Sequence, residues 1–259
     1  MRPAVGAATL DAACPMTAYQ RPPTSFAPVT PARLVEPEQV TYDFSWLDAQ
    51  GADKWKTLTL PAHDVIEGAV TLFARGTPID TPRGQSAVED LLPGDRVLTP
   101  EGSATVRWVG SRCFPATAPI RPTLFRIGSS AFGRDRPVGD VVLGGSARIL
   151  IQSDRCRTLV GQDAAFAPIA AFEDALGVIA LMPPGDVTTY GIACDGQAAV
   201  MIDGMAVEAW HPARDMMRRV TPAMLDALRQ LIPPLAEDGF GSARIPYLSD
   251  VEAQTLRLL

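Results

Sequence analysis

Histidine and cysteine are scarce: two and four in a chain of 259 residues. The cysteines, Cys14, Cys113, Cys156 and Cys194, form no CxxC pair, and His63 and His211 stand apart from them. A zinc site has no ligand spacing to build on, and so few cysteines in so long a chain do not make a disulfide framework. No apolar run approaches the roughly 20 residues of a membrane span. The opening stretch, MRPAVGAATLDAACPM, holds one arginine and no sustained apolar segment, so no signal peptide is read and a cytoplasmic setting is the default expectation. Basic residues are outnumbered 23 to 29, the net charge is −6 and the pI is near 5.0. That balance excludes a general nucleic-acid footprint and leaves a protein as the expected class of partner. Also missing are a GxSxG elbow, a P-loop, HExxH and a dinucleotide fingerprint, so no cofactor and no metal is called for.

What is present points to short strands. Hydrophobic residues make up 47% of the chain, enough for a sizeable core, and the 24 prolines and 21 glycines suit many turns. Residues 1–36, with RPPTSFAPVTPAR at their centre, show neither helical nor alternating period and read as a flexible tail. Residues 37–71 read as a leading hairpin. Val40, Tyr42, Phe44 and Trp46 alternate with Thr41, Asp43 and Ser45, Asp48 to Gly51 turn, and Trp55 to Leu60 return. His63 reads as a surface or packing residue.

The chain is organised around LFARGTPIDTPRGQSAVEDLLPGDRVLT, residues 72–99. Pro82-Arg83-Gly84 and Pro93-Gly94-Asp95 are turn signals around short β-rich runs. A return strand, Ala104 to Val109, follows and carries Trp108, expected to be half buried. Val141 to Ile151 is a second apolar frame, interrupted by Gly144-Gly145-Ser146-Ala147. A short helix is expected over Ala170 to Leu176, ended by Gly177, and a strand over Val187 to Ala193. Thr221, as N-cap, and Pro222 open an amphipathic C-terminal helix to Ile232, with Leu225, Leu228, Leu231 and Ile232 on its buried face. Residues 235–259 give weak signals.

The pattern GTxIxT followed by VEDLxxGDxVLT resembles the opening block of the bacterial Hint group, the Hedgehog/intein self-processing domains. The resemblance covers 72–212, with Gly76, Thr77, Gly94 and Asp95 as motif scaffold, and leaves 213–259 as a helical extension. It implies a mostly-β Hint fold, disc- or horseshoe-like, of many short strands with one short internal helix. It also implies where the chemistry would sit. The family's nucleophilic cysteine falls on Leu72, its Ser/Thr-x-x-His motif on Gly144 and Ala147, and two later histidines on Gly191 and Gln197. Hint processing begins when a thiol or hydroxyl attacks the carbonyl just upstream of itself, with a Thr/His pair polarising that amide. A leucine side chain has no lone pair, and alanine can neither give nor take a proton. The resemblance therefore implies a catalytically degenerate domain kept as a structural or interaction module, with no catalytic residue intact. The alternative is active autoprocessing through an unaligned nucleophile, for which Thr71 is the nearest hydroxyl. Its side chain is expected on the opposite face of a strand from that of Leu72. Leu72 and Ala147 are expected close together, on strands, around a small apolar pocket.

Overall fold

Alternation of apolar and polar residues builds the first hairpin, β1 (Gln39–Leu47) and β2 (Asp53–Pro61), in full register from Gln39↔Pro61 to Leu47↔Asp53. Val40, Tyr42 and Phe44 point into the core, as their period of two requires. The Asp48 carboxylate accepts from the Gln50 and Ala52 amides and closes the turn. The structure, a computed structural model, describes residues 38–214, 220–237 and 239–257. The tail expected over residues 1–36 lies outside the described residues.

Asp64 to Thr71, read from sequence only as a lead-in, holds a helix, α1 (Asp64–Val70). His63 is its N-cap, with Nδ1 accepting from the Val65 amide at 3.1 Å. Ile66, Ala69 and Val70 face inward. The organising block then gives β3 (Phe73–Ala74), β4 (Pro78–Thr81), β5 (Gly84–Ala87), a 3-10 turn at Val88–Asp90 and β6 (Arg96–Thr99). A long return strand follows, β7 (Gly102–Phe114), and after it β8 (Leu124–Ile127), β9 (Val141–Gly144), β10 (Arg148–Gln152) and α2 (Asp154–Val160). The rest is β11 (Ala164–Pro168), β12 (Val178–Leu181), β13 (Val187–Cys194), β14 (Ala199–Ile202), β15 (Met205–Glu208), α3 (Pro222–Leu231), α4 (Pro234–Glu237) and α5 (Asp250–Arg257). The fold is mostly β, from many short antiparallel strands.

A nine-stranded sheet runs β12-β8-β9-β3-β13-β7-β1-β2, with β6 also paired to β7; a four-stranded sheet runs β11-β10-β15-β14; and β4 and β5 form a small hairpin. The leading hairpin is thus part of the main sheet, since β1 pairs with β7 from Asp43↔Ser111 to Trp46↔Trp108. The sheets share one core, to which α3 adds Leu228, Leu231 and the following Ile232, while Leu225 is only half buried. Thr221 caps α3, accepting from the Met224 amide at 3.3 Å.

Three local expectations change. The helix expected over Ala170 to Leu176 is a 3-10 turn at Ile169–Phe172; beyond it the Asp174 carboxylate accepts from the Leu176, Gly177 and Val178 amides, and this local ring displaces the helix. The internal α-helix after β10 is instead α2, capped by Ser153 and closed by Gly161. Trp108 is fully buried rather than half buried, because its indole N–H donates to the Leu231 carbonyl at 2.7 Å and pins the end of α3.

Candidate functional site

Thr71 closes α1 as its C-cap, and the peptide between Thr71 and Leu72 is tied down from three sides. The Thr71 carbonyl accepts from the Ser146 amide at 3.2 Å, the Leu72 amide donates to the Tyr190 carbonyl at 3.1 Å, and the Leu72 carbonyl accepts from the Gly144 amide at 2.8 Å. Thr71 is therefore not a strand residue with its side chain on the opposite face. Its hydroxyl turns back to donate to the Glu67 carbonyl at 2.9 Å, which leaves Ser146 as donor in the 2.7 Å hydroxyl pair with Thr71.

Leu72, Gly144, Ala147 and Gly191 come together around this peptide through backbone contacts. Neither Leu72 nor Ala147 lies on a strand, contrary to expectation: Leu72 just precedes β3, and Ala147 sits in the β9–β10 connection, its amide donating to the Gly144 carbonyl at 3.0 Å. Both are fully buried in the main core, so no apolar pocket lies between them and solvent.

Two glycines allow this close approach. A Cβ on Gly144 would stand 2.0 Å from the Thr71 carbonyl oxygen, and one on Gly191 would stand 1.7 Å from the Ala69 carbonyl oxygen. Both contacts are with backbone, which has no rotamer by which to yield. Glycine at these positions lets α1 and the Thr71–Leu72 peptide descend onto β9 and β13.

Gln197 belongs to a different neighbourhood. Its Oε1 accepts from the Arg244 and Ile245 amides at 2.6 and 2.7 Å, and its Nε2 donates to the Ile245 carbonyl and the Tyr247 hydroxyl at 2.9 and 3.1 Å. The remaining motif residues are structural. The Gly76 amide donates to Glu89 at 2.7 Å, and the Thr77 hydroxyl lies 2.9 Å from the Val142 carbonyl. Gly94 turns at φ +95°, and the Asp95 carboxylate accepts from the Leu92 amide at 2.9 Å.

Sequence reasoning missed the polar groups beside the Thr71–Leu72 peptide. A cleft of about 360 Å³ opens beside Thr71 and Ser146, with Glu67 on its wall. Glu67 pairs with Arg112, which is buried over the Phe114 ring, 3.9 Å from its centroid. The only signal for Glu67 was its place one helical turn before Thr71, and that required α1 to be read as a helix.

The described histidines and cysteines lie elsewhere in the fold. His211 is buried, its Nε2 bonded to the Phe240 carbonyl at 3.0 Å and its Nδ1 accepting from Ala213 at 3.2 Å; burial lowers its pKa and keeps it neutral. Burial pushes the Cys194 thiol up to about 12 and also raises Cys156, so neither is an available thiolate. Cys113 is exposed on β7. Among the described residues, no cluster of three or more His, Cys, Asp or Glu could hold a metal. No described helix is long and apolar enough to cross a membrane.

A family model for the Hint domain matches residues 71–214, more than half of the 259. The chain belongs to the Hint domain family. The match begins at Thr71, at the peptide described above, and ends at Arg214. Two solved structures are similar at low identity. The bacterial intein-like domain from Clostridium thermocellum is 15% identical, over 54% of this chain and 99% of its own, with a TM-score of 0.38. The MchDnaB-1 intein is 16% identical, over 53% and 99%, with a TM-score of 0.33. Comparison with curated proteins finds no match.

Proposed function

We propose that this Hint domain is catalytically inert and serves as a structural or protein-interaction module. The observation that carries the reading is the backbone collapse at Gly144 and Gly191 onto Thr71 and Ala69. Loss of a nucleophile alone could be repaired by one substitution. Here the volume that a threonine at 144 or a histidine at 191 would need is filled by main chain. The Thr71–Leu72 amide has both its N–H and its C=O bonded to main chain, from Tyr190 and Ser146, so no histidine polarises it. The segment upstream of Leu72, which would be the acyl part released, is built into the domain: β1 is paired with β7, and α1 contributes to the core.

A second reading, autoprocessing with an unaligned nucleophile, draws on the Thr71–Ser146 hydroxyl pair beside this amide. Against it, the Thr71 proton is engaged by the Glu67 carbonyl, His63 caps α1 and His211 is buried with both nitrogens bonded, so neither histidine of the chain serves as base. Intact mass of the purified full chain, after prolonged incubation with and without a thiol, separates the two. The expected result is one unchanged mass in both. Thiol-dependent fragments from a break next to residue 71 or 72 would replace the first reading with the second.

A further inference from the structure

The C-terminal segment between α4 and α5 is seated in a groove as an extended peptide ligand would be. β11 is an end strand of the four-stranded sheet. On its free side the Phe166 amide donates to the Pro246 carbonyl and the Leu248 amide donates to the Phe166 carbonyl, both at 2.9 Å, which makes a parallel bridge between Phe166 and Tyr247. This is strand addition to a sheet edge, made in cis. The opposite wall is Gln197, whose amide reads the main chain of Arg244 and Ile245 through both its donor and its acceptor. The Tyr247 ring stacks on Phe166 at 5.8 Å between centroids. Its hydroxyl accepts from Gln197 and lies toward Glu208, a buried carboxylate that pairs with Arg214 at 3.2 Å. The groove thus has the parts of a peptide site: an open sheet edge, a main-chain reader and a polar-floored pocket for one tyrosine.

The segment fills only part of it. Next to Gln197 the groove continues as a cavity of about 860 Å³ bordered by Gln152, Gln162, Asp163, Asp195 and Arg244. The segment is also joined to the preceding helices through Gly239 and Gly241, at φ +65° and +69°, on either side of a buried Phe240 packed against Trp210.

We propose that this groove is a docking site for an extended segment of a partner protein, of the form apolar-Pro-Tyr-apolar, and that Ile245 to Leu248 occupy it as a built-in competitor. The inference deepens the reading of the domain as an interaction module and names its surface. The partner segment adds to β11, is read by Gln197 and places its tyrosine over Glu208. Its flanking residues enter the cavity.

The test uses the full chain and a fluorescein-labelled peptide of residues 239–257, read by anisotropy. Tyr247→Ala weakens the internal segment and leaves the groove intact, so this variant should bind the peptide at least tenfold more tightly than the wild-type chain. Adding Gln197→Leu should abolish that gain. Equal binding to wild type and Tyr247→Ala, or no binding to a Tyr247→Ala chain that still melts cooperatively, overturns the proposal. Should Tyr247→Ala not fold, hydrogen exchange on the wild-type chain decides. The Arg244, Ile245, Leu248 and Phe166 amides should then exchange together, at least tenfold faster than those paired between β14 and β15; equal protection overturns the proposal. Intact mass is unaffected by any of these outcomes, so failure here leaves the inert-domain reading standing, and self-cleavage would reject that reading alone.

Discussion

Gly191 lies in β13 and Gln197 in the turn that follows it, both at places where the resemblance expects histidine, and the protein has used them in opposite ways. At Gly191 there is no side chain, and main chain of α1 occupies the place where a Cβ would stand. At Gln197 a side chain of similar reach remains, and its amide is bonded to the C-terminal segment. On the proposed reading, the first position is closed by main chain and the second stays polar and is bonded to the C-terminal segment. A binding site that loses its chemistry need not lose its polarity, and which occurs depends on whether neighbouring backbone can close the gap.

The contrast breaks most sharply at the closed end. Gly191→His should cost roughly 4 kcal/mol or more, read as a large fall in melting temperature, because its Cβ and the Ala69 carbonyl oxygen cannot occupy the same place. For the same reason the combined change Leu72→Cys, Ala147→His and Gly144→Thr should destabilise the domain and give no thiol-dependent cleavage by mass spectrometry. A well-folded, cleaving triple variant would mean that the former site is open after all.

A second test probes how dry the shared core is. Burial raises Cys194 from 9.0 and Tyr42 from 10.0, each to about 12. Both groups keep their protons in the folded state after the unfolded chain has begun to lose them. Their contribution is complete below about pH 9 and is lost as pH rises toward 12, an effect of a few kcal/mol in all. Chemical denaturation across that window should show the fall, and Cys194→Ala should flatten it. An unchanged slope in that variant would place the thiol in contact with water.

At the polar end the effect is smaller. Gln197→Leu should cost about 1 to 2 kcal/mol by denaturant melting, since it strips partners from half-buried main chain without creating a clash. A loss as large as that from Gly191→His would erase the contrast between the two positions. Smallest of all should be deletion of residues 1–36, whose proline-rich composition offers no apolar period to the core. The melting temperature should move by no more than a degree or two, and a large drop would add the segment to the packed domain.

Much of the fold was legible because its signals are local. Alternation in β1, the turn chemistry of Pro82-Arg83 and Pro93-Gly94, and the Thr221-Pro222 helix start each depend on neighbours in sequence. Helices α1 and α2 were missed because each is barely two turns long, too short for a helical period to emerge. Ala170 to Leu176 misled because a periodic apolar pattern does not reveal that Asp174 will bond the amides just after it. At the site, the partners of Ser146, Glu67 and Gln197 were not legible, because they come from segments remote in sequence.

The sequence by itself determined a mostly-β chain with leucine at 72, alanine at 147 and glycine at 144 and 191, and side-chain identity alone decides that these offer no nucleophile and no base. Only the tertiary structure decided what became of the space. Whether a glycine is a hinge, a turn or a point of contact depends on which backbone stands opposite: Ala69 meets Gly191 where α1 packs on β13, and Thr71 meets Gly144 at the end of β9. The same holds for Gln197, whose amide found its partners in a segment that the chain returns to the sheet edge only after α3 and α4 are in place.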